Sequence, residues 1–172
     1  MLRIAVLASG SGSNAEELHR YFSNSDLARV ELIVTNNTKA GVIDRFSGKK
    51  VAIRTFDPSS ESDVVLQELT QAADLVVLAG YLRMIPASWT RAFQGRMLNI
   101  HPALLPKFGG KGMYGKHVHQ AVSEAGETET GITIHLVNEH YDEGAIVAQF
   151  AVDVVPGESP LSIEEKVRQL EL

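Results

Sequence analysis

The run Leu75–Ala79 (LVVLA) constrains the fold of this chain most, because it is apolar at every position and lies between two helical patterns. The segments on either side of it, Ser60–Ala72 and Pro86–Phe93, have the apolar spacing and start signals that are typical of helices. A strand that is apolar at every position is buried on both faces, as in the centre of a parallel sheet. The run therefore predicts an α/β protein.

Further apolar runs alternate with helical patterns up to about residue 125, which predicts a doubly wound, mostly parallel, Rossmann-like sheet. Two later apolar runs have almost no helix between them, so they predict an antiparallel strand pair late in the chain. The further predicted strands are Leu2–Ala8, Val30–Thr35, Val51–Phe56, Arg96–His101, Gly131–Val137 and Ala145–Val154, and the further predicted helices are Asn14–Phe22, Ala40–Phe46, Lys116–Ala125 and Ser162–Leu170.

Two helix starts are predicted from capping residues. Ser60 is the expected N-cap of the helix before the central strand, and Ser162 with Glu165 forms a capping box. The last helix is still running at Leu172. We therefore expect one domain over residues 1–172 with an incomplete C-terminal helix.

Composition narrows the possible function classes. The chain has 172 residues, with 16 Lys and Arg against 21 Asp and Glu, so its net charge is −5. We expect no nucleic-acid partner, because duplex binding needs a basic surface. The absence of cysteine excludes disulfides and thiolate zinc sites. No apolar run reaches the roughly 18 residues that span a bilayer, so we expect a cytoplasmic protein without a membrane partner.

The turn Gly10–Ala15 (GSGSNA) lies where the first strand meets the first helix. Its glycines let the backbone approach an anion, and the helix start offers N–H groups and a favourable dipole. The spacing also fits a loose dinucleotide pattern, but that pattern needs an acidic residue where Asn36 and Asn37 stand. We therefore favour a phosphate monoester. The alternative is a plain glycine turn with Asn14 capping the helix.

Asn99 and His101 stand two apart at the end of a predicted strand, so their side chains project from the same face. Pro102 keeps His101 extended, because the residue before proline avoids the helical region. An amide beside an imidazole suits the stabilisation of a developing oxyanion. The alternative is a structural histidine with an ordinary amide contact.

Asp142 lies in a polar turn between the last two predicted strands, where it either faces His101 or is a solvated turn residue. Metal binding is a further possibility, raised by four histidines, His117, His119, His135 and His140. His117 and His119 point to different sides of a helix, and no H-E-x-x-H motif is present. We expect no metal.

Five segments together resemble the folate-dependent formyltransferases of purine synthesis. They are LASGSGSN, VLAGYLRMI, NIHPALLPKFGG, TGITIHLVNEHYDEGAIV and IEEKVRQLEL, and they cover nearly the whole chain in order. The resemblance implies transfer of a formyl group from 10-formyltetrahydrofolate to the amine of 5'-phosphoribosylglycinamide (glycinamide ribonucleotide). Both small molecules are expected as substrates, with no metal cofactor.

The resemblance also implies roles for individual residues. Asn99, His101 and Asp142 are expected in catalysis, and Asp142 is expected to raise the pKa of His101 above about 6.5. The substrate phosphate is expected on Gly12, Ser13 and Asn14, and the ribose on Arg168 and Glu171. The folate is expected on Leu82, Arg83, Met84 and Ile85, with Asn99 also in contact.

Two alternative functions remain open at the level of sequence. A formyltetrahydrofolate hydrolase shares the Asn, His and Asp residues but delivers water, and its family usually has an extra N-terminal domain. A non-catalytic nucleotide-binding protein of the Rossmann type needs the phosphate turn but not the catalytic residues. A methionyl-tRNA formyltransferase needs a basic RNA-binding domain, which the sequence does not show.

Overall fold

A computed structural model describes residues 1–172. The strands form a seven-stranded sheet in the order β3-β2-β1-β4-β5-β6-β7. The fold class predicted from the sequence is confirmed. The elements are β1 (Leu2–Leu7), α1 (Ser13–Phe22), β2 (Ala28–Thr35), α2 (Gly41–Phe46), β3 (Ala52–Thr55), α3 (Ser62–Ala72), β4 (Leu75–Leu78), α4 (Ala87–Ala92), β5 (Met97–His101), α5 (Lys116–Glu124), β6 (Glu129–Leu136), β7 (Ile146–Asp153) and α6 (Pro160–Glu171).

The chain forms two compact units, residues 1–98 and 99–172. In the first unit, β1 pairs in parallel with both β2 and β4, and β2 pairs in parallel with β3. Val6 of β1 lies opposite Ile33 and Val77, and all three are buried. The apolar run on β4 is thus buried as its sequence predicts, and β4 is the middle strand of the seven.

In the second unit, β6 and β7 form the predicted antiparallel pair, with Glu129 opposite Asp153. The core of this unit contains Ile132 of β6, Val118 of α5 and Ile163 of α6. Burial of such side chains stabilises the unit by about 1.5–3 kcal/mol each relative to exposure. None of the helices has both the length and the apolar character needed to cross a membrane.

Three residues considered as helix caps, Ser60, Ser162 and Asn14, do not cap their helices in the structure. The helix after Ser60 begins at Ser62, because Asp57 accepts bonds from the Ser59 N–H and hydroxyl and the chain turns there first. The last helix begins at Pro160, with the Ser159 hydroxyl as its cap, since proline suits the first turn. The first helix is preceded by Gly12 in the left-handed region, so Asn14 is not its cap.

Candidate active site

The first turn places its backbone at the start of α1, as the sequence predicts. Gly12 has φ +75°, and a Cβ built on it would lie 2.5 Å from Val42 Cβ. Glycine is therefore required here for both conformation and space. No side chain caps α1, so its first N–H groups are not taken by a capping residue. Such a helix start is suited to an anion.

The segment predicted to bind folate follows β4 in the same unit. Leu82 and Met84 are exposed large apolar residues, whereas Ile85 is buried. Arg83 is exposed and lines an open cavity of about 420 Å³ together with Asn36, Asn37, Thr55 and Asp57, among others. The segment thus offers apolar surface beside a polar cavity.

The second unit brings together the three predicted catalytic side chains. His101 Nδ1 lies 3.6 Å from Asp142 Oδ1, and both groups are largely buried. Asn99 lies in the same strand two residues earlier, and Ile100 between them packs against the apolar core, as predicted. The cluster therefore contains an amide, an imidazole and a carboxylate.

A backbone carbonyl fixes the tautomer of His101. Nε2 lies 2.8 Å from the carbonyl oxygen of Phe108, which can only accept, so Nε2 carries a proton. In the neutral ring Nδ1 then has a free lone pair on the side of Asp142. His101 can therefore take up a proton at Nδ1, next to a carboxylate that stabilises the resulting charge.

The pKa of His101 contradicts the expectation from sequence. Burial lowers the pKa of His101 below its ordinary value, although Asp142 and the Phe108 carbonyl act in the opposite direction and His135 lowers it further. The predicted increase is wrong, because the desolvation of the charged ring outweighs the attraction of Asp142. The resting ring is therefore neutral at neutral pH.

Asp142 is held as a carboxylate. Burial alone would raise the pKa of Asp142, but its contacts with His135, His101 and the Gly110 N–H lower that pKa below the ordinary value. The Gly110 N–H donates to Asp142 Oδ2 at 2.8 Å. Asp142 also has φ +57°, a left-handed conformation that few residues other than glycine, Asn and Asp adopt readily.

His135 belongs to the same cluster, which the sequence analysis missed. Its Nδ1 donates to the Leu136 carbonyl at 2.9 Å, and its Nε2 lies 3.1 Å from Asn99 Nδ2 and 3.5 Å from Asp142 Oδ1. The contact of Nε2 with the Asn99 amide holds that amide in its orientation. The available signal was the alternation of β6, which places polar Thr133 and His135 on one face.

Thr133 anchors the chain that follows β5. Its buried hydroxyl donates to the Ala103 carbonyl at 2.6 Å and accepts from the Leu105 N–H at 3.0 Å. Gln149 of β7 donates both to this hydroxyl and to the Leu105 carbonyl. These bonds hold the segment between His101 and Phe108, and so they support the bond that fixes the His101 ring.

The predicted ribose residues lie on α6. Arg168 donates to Glu165 from Nε at 2.9 Å and from Nη2 at 2.6 Å, in a solvent-exposed pair one turn apart. Glu171 is the last residue of that helix.

The structure contains no group of three or more His, Cys, Asp or Glu side chains arranged to hold a metal ion. His117 is exposed and His119 is buried, which confirms that the two point to different sides of α5. His119 Nδ1 is buried without a hydrogen-bond partner.

The fold and the cluster define a class of protein: an α/β protein with an acid–base cluster at the carboxyl end of a late strand. The sequence model for formyl transferases matches residues 2–172. The chain therefore belongs to the formyl transferase family.

Comparison with individual proteins agrees with this assignment. The chain is 42% identical to the chloroplastic phosphoribosylglycinamide formyltransferase of Arabidopsis thaliana over 96% of its own length and 60% of that protein. It is 36% identical to the phosphoribosylglycinamide formyltransferase of Haemophilus influenzae, over 99% and 82% of the two chains. The crystal structure of glycinamide ribonucleotide transformylase 1 from Geobacillus kaustophilus matches with a TM-score of 0.89 at 38% identity, over 99% and 93% of the chains. The chain thus spans less than two thirds of the plant relative.

Proposed function

We propose that this protein transfers the formyl group of 10-formyltetrahydrofolate to the amine of 5'-phosphoribosylglycinamide, a step of purine synthesis. The cluster of Asn99, His101 and Asp142 carries the proposal, because it combines a donor for an oxyanion with a proton acceptor beside a carboxylate. The names of the Arabidopsis and Haemophilus relatives support the choice of substrates.

In the proposed mechanism the amine attacks the formyl carbon, and the formyl oxygen becomes an oxyanion. One N–H of the Asn99 amide is directed to His135, and the second is available to the oxyanion. Removal of such a donor typically costs about 10²–10³ in turnover. Asn99 therefore stabilises the tetrahedral intermediate. Because the folate is still bonded to the formyl carbon in that intermediate, Asn99 contacts the formyl-bearing end of the folate.

His101 moves the proton that the attack releases. Its neutral Nδ1 accepts the proton from the ammonium group of the intermediate, and Asp142 stabilises the imidazolium that forms. His101 then donates the proton to the folate nitrogen as the bond from that nitrogen to the formyl carbon breaks. The products are the formylated amide and tetrahydrofolate.

We propose binding roles for the other predicted residues on the strength of the resemblance and of their local structure. Gly12, Ser13 and Asn14 hold the phosphate at the uncapped start of α1. Leu82, Arg83, Met84 and Ile85 hold the folate beside the cavity that Arg83 lines. Arg168 and Glu171 on α6 contact the ribose.

We further propose that the two units act as one formyltransferase domain, which the match of the family over both units supports. We also propose a cytoplasmic location. Fractionation of cells with an antibody against the protein tests this location. Recovery of the protein in an organelle fraction would contradict this location. The test is needed because the names of two plant relatives describe them as chloroplastic.

The test is transfer of a labelled formyl group. The protein is incubated with 10-formyltetrahydrofolate labelled in the formyl carbon, with and without the ribonucleotide. We expect label in the ribonucleotide, and label released as formate without the ribonucleotide would instead identify a hydrolase. His101→Ala should lose transfer, whereas His117→Ala, at an exposed histidine of the same unit, should retain it.

A further inference from the structure

Helix α2 holds the carbonyl side of the first turn. The Val42 N–H donates to the Gly10 carbonyl at 3.1 Å, and Arg45 Nε donates to the Ser11 carbonyl at 2.7 Å. Gly41 packs closely against the turn, since a Cβ built on it would lie 3.3 Å from Ser11 Cα. Two consecutive carbonyls of the turn therefore point towards the same helix.

The planarity of the peptide bond fixes where the N–H groups of the turn point. In a trans peptide the N–H is directed opposite to the C=O of the same unit. The N–H groups of Ser11 and Gly12 therefore point away from α2. Successive N–H groups beside a left-handed residue form a concave site for an anion, and Gly12 is such a residue.

Arg45 is itself held in place by Glu16 of α1. Arg45 Nη1 lies 2.6 Å from Glu16 Oε2, and Lys49 Nζ lies 2.5 Å from Glu16 Oε1. Lys49 and Arg45 both lower the pKa of Glu16, so it remains ionised. The three side chains have charges of −1, +1 and +1, and the net charge of +1 lies beside the turn.

We propose that Arg45 is a positioning residue for the substrate phosphate: by holding the Ser11 carbonyl, it directs the Gly12 N–H into the anion site. This inference rests on the proposed function, because it takes the first turn as the phosphate site. Arg45 does not contact the phosphate. Its guanidinium acts through the peptide plane, and Glu16 fixes the guanidinium.

The first experiment separates binding from chemistry. Arg45→Gln should raise KM for the ribonucleotide about tenfold, the effect of losing one charge-assisted hydrogen bond, with kcat and KM for the folate unchanged. The dissociation constant of the ribonucleotide, measured by calorimetry without folate, should rise by the same factor. Arg20→Gln is the matched control, because Arg20 pairs with Glu17 on the same helix and holds no carbonyl of the turn.

Two further variants separate geometry from charge. Arg45→Lys keeps the charge but loses the paired contacts to Ser11 and Glu16, so it should bind the ribonucleotide as weakly as Arg45→Gln. Glu16→Gln raises the local charge from +1 to +2 while it loosens Arg45. A role of charge alone predicts tighter binding in Glu16→Gln, and our proposal predicts binding weaker by about threefold.

The outcomes distinguish this proposal from the proposed function. If the wild-type protein neither binds the ribonucleotide nor transfers the formyl group, the proposed function fails. If it does both, and Arg45→Gln binds as tightly as Arg20→Gln, only the role of Arg45 is overturned. Full binding in Arg45→Lys together with tighter binding in Glu16→Gln would show that the cluster acts by charge, which also overturns the proposal.

Discussion

The first turn and the catalytic cluster are built in opposite ways. The turn uses backbone groups of consecutive residues, and its shape depends on Gly12 and on the bonds that α2 makes to it. The cluster uses side chains from β5, β6 and the turn before β7, which lie up to 43 positions apart in the chain, from Asn99 to Asp142. Substitutions should therefore affect the turn through conformation and the cluster through protonation.

The largest effect is expected at His101. His101→Ala removes the proton acceptor, and turnover should fall by about 10³ or more, because general acid–base catalysis contributes about 10²–10⁴. Asn99→Ala should lose about 10²–10³. Steady-state kinetics measure both, and urea unfolding checks that the variants fold. Near-normal turnover in a folded His101→Ala protein would contradict the mechanism.

Asp142→Asn should lower kcat by about 10²-fold, since the imidazolium loses its carboxylate. Asp142 raises the pKa of His101, so its removal lowers that pKa further. Neutral His101 is the active form, and activity is lost as the pH falls through its pKa. The acid limb of the pH–rate profile should therefore move to lower pH. An unmoved limb, with full activity, would remove Asp142 from the mechanism.

Gly12→Ala tests the turn rather than the cluster. The new methyl group meets Val42, and the left-handed backbone disfavours alanine, so we expect a loss of about 1–3 kcal/mol of stability and a raised KM for the ribonucleotide. The control is Gly10→Ala in the same turn, where a Cβ has no neighbour within 4 Å. Thermal unfolding and kinetics measure the two effects, and equal behaviour of both variants would refute the packing argument.

His135→Gln sharpens the comparison within the cluster. Glutamine cannot reproduce the two opposed contacts of the ring with Leu136 and Asn99, so kcat should fall about tenfold through misorientation of the amide. The double variant Asn99→Ala/His135→Gln should then have the same kcat as Asn99→Ala alone, except for the effect of losing the contact between His135 and Asp142. Fully multiplicative losses would show that His135 acts independently of Asn99.

The smallest effect concerns stability and pH. Burial lowers the pKa of His119, while Glu164 opposes the decrease and His101 adds to it. As the pH falls, the unfolded chain therefore takes up a proton on His119 before the folded chain does. The contribution of neutral His119 to stability is complete above about pH 6.5 and is lost as the pH falls below that value. His119→Met should lose less stability than the wild type between about pH 7.5 and about pH 5.5 by denaturant unfolding. An equal loss of stability in both proteins would show that His119 does not contribute to the pH dependence.

Local patterns predicted the α/β fold class, the glycine turn at the start of α1 and the shared face of Asn99 and His101. These depend on strand periodicity and glycine spacing, which a sequence shows directly. The predicted caps Ser60 and Ser162 were wrong because both helices begin at other residues. Helix α3 begins at Ser62 without a side-chain cap, after a turn in which Asp57 accepts from the Ser59 N–H, and α6 begins at Pro160, where the Ser159 hydroxyl accepts from the Ser162 N–H.

The proton chemistry of the cluster was beyond the reach of the sequence. The direction of the His101 pKa depends on burial, which outweighs one nearby carboxylate at 3.6 Å. The tautomer depends on the carbonyl of Phe108, a backbone atom that no residue type reveals. His135 was visible only as a polar residue that shares a face of β6 with Thr133.

The left-handed backbone at Asp142 limits how this position can vary over evolutionary time or in a mutant library. Two independent demands act on one residue: a carboxylate of the right length and a φ of +57°. Asparagine satisfies the backbone but not the charge, glutamate satisfies the charge but not the backbone, and glycine satisfies only the backbone. A saturation library at position 142, selected for growth that depends on this protein, should therefore return aspartate almost alone.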